Sequence, residues 1–242
     1  MAQVQPTKSR APFLLLIIAI VVAGAGGIYY KVALDKQAPI VMAPGTALPK
    51  AEGYLRGKPD APVTIIEFAD FECPGCGQFA NVTEPDVRTR IVDAGLANIR
   101  FYDFPLTQIH ANTMSASLAA ACAADQGKFW ELHDVLFRNQ GEWNTQATAN
   151  PRKVIANYLK PLGIDEDAWN KCFDSQKDVA RIEAHRAAGM ERNVPSTPTF
   201  IIGDVMYSSS MTYDKIKHIV DSLNAAKAPA GAAPAAAAPV KK

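Results

Sequence analysis

Residues 62–76 read PVTIIEFADFECPGC, and this stretch decides the fold. Pro62–Phe68 is an apolar, β-branched run of the length of a buried strand. It passes through Ala69-Asp70-Phe71-Glu72 into Cys73-Pro74-Gly75-Cys76, where proline in the first turn suits the start of a helix. The pattern predicts a helix through about Asp93 with Phe79, Val82, Val87 and Ile91 toward the core and a kink at Pro85. Ala97–Phe104 (ANIRFYDF) is a second strand, near enough to the first for a strand–helix–strand unit with a parallel pair.

Two cysteines one helical turn apart at a helix start can exchange electrons. Unpaired N–H groups and the helix dipole favour the thiolate of the first, which leaves Cys73 as nucleophile and Cys76 as resolving thiol. Half of a zinc site is a second reading, but no further Cys-x-x-Cys or His-x-x-x-His pair accompanies it. A purely structural disulfide is the third. No metal and no cofactor is expected.

Outward from the site, helical patterns cover Ala111–Ala124, Lys128–Asn139, Pro151–Lys160, Glu166–Phe173 and Lys177–Arg192. Pro198–Ile202 and Asp204–Tyr207 read as a hairpin around Gly203, and Asp214–Asn224 as a closing helix. The order βαβ, helical block, ββα implies an α/β fold with a mixed central sheet. The domain is expected over 53–226, with an all-helical insertion at about 109–192.

The flanks differ in kind. Ala11–Tyr30 holds no charged residue, and twenty helical residues span about 30 Å, the thickness of a bilayer's hydrocarbon core. A transmembrane anchor over 11–30 is expected, with residues 1–10 cytoplasmic; a cleaved signal peptide is the alternative, and both export the domain. The Lys and Arg flanks nearly tie, so the cysteine chemistry is what places the domain in the periplasm or extracytoplasmic space. Residues 31–52 carry three prolines and form a linker; 227–242 is an Ala/Pro-rich tail expected to be disordered. With 25 basic and 24 acidic residues and no basic block, nothing points to nucleic acid.

The run IIEFADFECPGC, the segment QGKFWELHDVLF and VPSTPTFIIG, in that order, resemble the DsbA-like thiol–disulfide oxidoreductases. The resemblance covers about Gly53 to Asn224. It implies a thioredoxin fold with the helical block inserted between its halves. It further implies that Pro198 is cis and faces the cysteines, so that the Thr197 backbone pairs with an extended substrate segment. It makes Glu67 a proton acceptor or electrostatic tuner for Cys76 during exchange; the competing reading is a strand-end carboxylate that meets water or a lysine. Asp70 is a lesser candidate for a similar role; its other reading is a cap on the approaching loop. The implied activity is disulfide formation in unfolded, reduced exported polypeptides. Reoxidation would come from a membrane partner of the DsbB or vitamin K epoxide reductase type. One departure matters: DsbA itself has a histidine between its cysteines, whereas Pro74-Gly75 stands here, so a smaller thiolate stabilisation and a milder oxidant are expected. Isomerase or reductase action, and a chaperone-like binding module, remain alternatives.

Four cysteines allow three pairings; once Cys73 pairs with Cys76, Cys122 is left with Cys172. In an oxidising compartment such a pair closes, and some DsbA-like relatives carry similar cysteines. Two buried free thiols are the other reading. The histidines at 110, 133, 185 and 218 show no ligand spacing. His110 follows Pro105 and either approaches the site or caps a helix, while His133 shares a helix with Trp130 and Phe137 and reads as packing.

Overall fold

The computed structural model describes residues 11–34, 40, 42 and 46–227, so the expected cytoplasmic N-terminus, part of the linker and the tail beyond 227 lie outside the described residues. The chain divides into two units, residues 1–38 and 39–242. The first contains helix α1 (Ala11–Leu34), whose side chains over 15–30 are exposed. That stretch covers about 24 Å of helix axis. Among the described residues no helix is long and apolar enough to cross a membrane.

The second unit is built on a five-stranded sheet of order β1 (Tyr54–Arg56), β3 (Asn98–Asp103), β2 (Thr64–Ala69), β4 (Thr199–Ile202), β5 (Val205–Tyr207). The β2–β3 pair is parallel, with Ile65 opposite Ile99 and Glu67 opposite Phe101; the other pairings are antiparallel. This is the thioredoxin-like mixed sheet. Strand β1 was not expected from the sequence: three residues, Tyr-Leu-Arg, carry no period. It is an edge strand whose Leu55 carbonyl accepts a hydrogen bond from Trp130 Nε1 at 2.8 Å, which closes that edge to further pairing.

After Cys73, α2 (Pro74–Gln78) continues through a π-type turn (Phe79–Thr83), a single α-turn α3 (Glu84–Val87) and a second π-type turn (Arg88–Val92). Pro85, which has no N–H to donate backwards, falls in the first turn of α3, immediately after the wider turn. The widened turn also corrects the expected core face. Phe79, Val87 and Ile91 are buried against Ile65, Ile99 and Phe200, but Val82 is 68% exposed, because the added residue per turn rotates it out of line.

Between β3 and β4 lie α4 (Thr113–Ala124), α5 (Phe129–Arg138), α6 (Gln140–Trp143), α7 (Pro151–Ala156), α8 (Glu166–Ser175) and α9 (Val179–Glu191). α4 is buried on all sides, as its run of alanines and small residues allows. Trp143, Trp169, Phe129 and Phe137 pack around it, and both indoles donate to backbone carbonyls, Leu136 and Ala119. Helix α7 ends four residues before the expected Lys160, where a 3-10 turn (Lys160–Leu162) takes over. α10 (Tyr213–Lys227) closes the sheet beside the helix that follows Cys73, through Ile216 and Val220.

Candidate active site

The loop from Asp70 to Cys73 carries the chain from β2 into α2, and side chains fix it on both flanks. Asp70 is fully buried. Its Oδ1 accepts from the Glu72 N–H at 2.7 Å and the Thr113 hydroxyl at 2.6 Å; its Oδ2 accepts from the Leu106 N–H at 2.8 Å and lies 2.9 Å from His110 Nδ1. Asp70 thus caps the loop and ties it to the start of α4. Glu72, also buried, accepts from the N–H groups of Asn112, at 2.9 Å, and Thr145. Gln140 completes the set: its Nε2 donates to the carbonyls of Phe71, at 2.7 Å, and Cys73, at 3.0 Å. Gln140 and Glu72 were not legible as site residues, since their partners lie 67 and 40 or more positions away.

Cys73 and Cys76 are free thiols, the first half-buried and the second fully buried. The Cys73 thiol is held down at about 5, first by a hydrogen bond from the Cys76 thiol, against the opposing effect of burial, then by Thr197 and the N–H groups of Cys76 and Gly75. In the protonated state Cys73 Sγ donates to the Thr197 carbonyl at 3.4 Å. The Thr197 hydroxyl is buried without a hydrogen-bond partner and is free to serve the sulfur once it ionises. Cys76 is pushed the opposite way, by burial first and by the neighbouring Cys73. One turn of helix therefore separates an acidic thiol from a reluctant one.

The Thr197–Pro198 peptide is cis, and Pro198 is buried against the turn. A Cβ at Gly75 would lie 3.2 Å from Pro198 Cδ, so glycine is what lets the two segments approach so closely.

Beneath Cys76, Glu67 is only 2% exposed, and burial holds its carboxyl well above the usual range, reinforced by the negative charge of Glu84 and eased by Arg56. Glu84 is likewise raised by burial and pairs with Arg56 Nη1 at 2.9 Å. The competing reading, in which Glu67 reaches water or a lysine, does not match its burial; Glu84 and Arg56 are its charged neighbours. Glu84, His133 and Asp134 bring three ligand atoms within 4.8 Å of one another. Arg56 and Arg88 already pair with these carboxylates, at 2.9–3.1 Å, and supply the positive charge a cation would bring.

Cys122 and Cys172 are joined in a disulfide between α4 and α8. It belongs to the helical block and not to the Cys73 site. His133 is buried among Phe71, Phe101, Trp130 and Phe137; His185 is buried against Asp103.

A sheet of this order, a dithiol at a helix start and a facing cis-proline make this a thioredoxin-fold protein. A family profile described as Thioredoxin matches residues 50–222. The chain belongs to this thioredoxin family. The oxidised BdbD crystal structure from Bacillus subtilis superimposes with a TM-score of 0.63 at 22% identity, covering 74% of this chain and 98% of that one. Disulfide bond formation protein D of Bacillus subtilis (strain 168) is 26% identical over 169 residues, 68% of this chain and 74% of that protein. Na(+)/H(+) antiporter NhaA 1 of Salinispora arenicola (strain CNS-205) is 34% identical over 171 residues, 70% of this chain; this chain spans only 24% of that relative's length.

Proposed function

We propose that this protein forms disulfides in reduced, unfolded exported polypeptides. A substrate thiolate attacks Cys73 Sγ of the Cys73–Cys76 disulfide, and Cys76 leaves with the electron pair and takes a proton from the Glu67 carboxyl. A second substrate thiolate then attacks the substrate sulfur of the mixed disulfide; the substrate disulfide forms and Cys73 departs as thiolate. The substrate segment lies extended beside Thr197 and Pro198. The observation that carries the direction is the environment of Cys73: a thiol titrating at about 5 is a good leaving group, so its disulfide is readily given up.

The domain works outside the cytoplasm, exported by the uncharged run 11–30. There a membrane partner of the DsbB or vitamin K epoxide reductase type takes electrons from the Cys73–Cys76 dithiol and returns it to the disulfide. The test is equilibration of the full-length chain with glutathione, Cys122 and Cys172 replaced by alanine. A potential above about −180 mV is expected of a disulfide donor; one near about −270 mV would make it a reductase.

A further inference from the structure

Gln140 stands outside every motif that marks this family of sites, yet it is the side chain in closest polar contact with the backbone bearing Cys73. It opens α6, sixty-seven positions beyond the cysteine, and directs one amide nitrogen between two carbonyls, Phe71 at 2.7 Å and Cys73 at 3.0 Å. The Cys73 carbonyl also accepts the Gly77 N–H at 3.1 Å. The other side of the amide fits against Gly77, where a Cβ would lie 2.8 Å from Gln140 Oε1 and 3.2–3.3 Å from its Cδ and Nε2. Cys-Pro-Gly-Cys-Gly and Gln140 thus interlock: glycine after Cys76 makes the space that the amide fills.

We propose that Gln140 is a positioning residue that sets the reactivity of Cys73. Two physical effects act in the same direction. Carbonyl oxygens carry partial negative charge, and those of Phe71 and Cys73 belong to the cysteine and to the residue two before it; a donor on both draws that charge away and favours the thiolate. The same bonds fix the loop, so that the N–H groups of Gly75 and Cys76 stay aimed at Cys73 Sγ. Asp70 and Glu72 hold the preceding part of the loop to residues 106–113 and Thr145, which leaves Gln140 as the side chain holding the carbonyl of the cysteine itself. No substrate contact is assigned to it.

The inference rests on Cys73 being the reactive thiol. The experiment is a pH titration of thiolate absorbance in the reduced full-length chain with Cys122 and Cys172 replaced by alanine, together with its glutathione equilibrium. Gln140→Leu, which keeps the bulk and removes the donor, is expected to lower the thiolate fraction at pH 5 about fivefold. It should also move the glutathione equilibrium toward the protein disulfide about tenfold. If that variant does not fold, Gly77→Ala, which displaces the amide while keeping glutamine, decides, with the same direction expected. A variant that unfolds at lower temperature but titrates and equilibrates within twofold of the parent overturns the proposal. Failure of the parent chain to oxidise a reduced peptide would count against the proposed function alone, since the titration is read without substrate.

Discussion

The two cysteine pairs of this molecule have the same atoms and opposite tendencies. Cys73 and Cys76, three positions apart at a helix start, are open; Cys122 and Cys172, separated by 50 positions between two helices, are closed. Around Cys73 a thiol, a hydroxyl and two N–H groups favour the thiolate, and thereby the dithiol. Around the second pair the neighbour is a carboxylate, with Asp178 Oδ2 3.5 Å from Cys172 Sγ and both cysteines buried in the apolar block. A carboxylate and a dry environment both oppose ionisation, so they oppose opening of the disulfide. Redox behaviour here follows from which charges face the sulfur.

The comparison breaks most completely at Cys73. Cys73→Ser should abolish oxidation of a reduced peptide to the uncatalysed rate, while Cys76→Ser should accumulate a mixed disulfide visible as a mass adduct. Turnover surviving in Cys73→Ser would remove the proposed role. The second pair should behave in the reverse manner. Replacing Cys122 and Cys172 together by alanine should cost about 3–4 kcal/mol in denaturant unfolding, the entropy of a 50-residue loop, while the Cys73–Cys76 glutathione equilibrium stays within about twofold. A shift of tenfold would mean that the two pairs are coupled.

Much of this contrast is legible in the sequence. The run PVTIIEF and the Cys-x-x-Cys at a proline-started helix locate β2 and the dithiol, because both depend on neighbouring residues alone. The same patterning supplies the order of the halves, and the resemblance to DsbA-like proteins supplies the cis bond before Pro198. What the sequence conceals is the polar scaffold. Glu72, Gln140 and Thr145 meet the loop from distant positions, and a lone Gln or Glu carries no signature of its partner. Tyr54–Arg56 is hidden for another reason: a three-residue edge strand is specified by pairing with β3 and by Trp130, not by its own pattern. Val82 misleads because a π-type turn breaks the helical period that any periodic reading assumes.

The pH dependence of the open pair sharpens the contrast. Cys73 titrates at about 5 in the folded protein against about 8.5 in an unfolded chain. Its folded value is depressed, so the stabilisation is complete above the unfolded value and is lost as pH falls through the folded one. The dithiol form should therefore lose stability relative to the disulfide form between about pH 8.5 and pH 5. Paired thermal melts of the two forms measure this directly, and a constant difference over that range would show that Cys73 is not a stabilised thiolate. Thr197→Val, which removes the unpartnered hydroxyl, should raise the Cys73 midpoint and narrow the window from its acid side.

The smallest effect is expected at Asp178. Its carboxylate faces Cys172 and is partly neutralised by Lys177, whose Nζ lies 3.4 Å from Asp178 Oδ2 and 2.6 Å from Asp125 Oδ2. Opening the disulfide places negative charge on sulfur during exchange, beside a carboxylate that repels it. Asp178→Asn keeps the shape and removes the repulsion, and it leaves Lys177 with Asp125, so the local potential becomes more positive. The Cys122–Cys172 disulfide should then be reduced by dithiothreitol about two- to fivefold faster, the scale of a single partly screened charge. Salt separates this from a loosening of the fold: the difference between Asp178→Asn and the parent should shrink between low salt and about 1 M, where charges are screened beyond about 3 Å. A rate advantage that persists undiminished at high salt would assign the effect to access, and the charge facing the sulfur would no longer explain why this pair is closed.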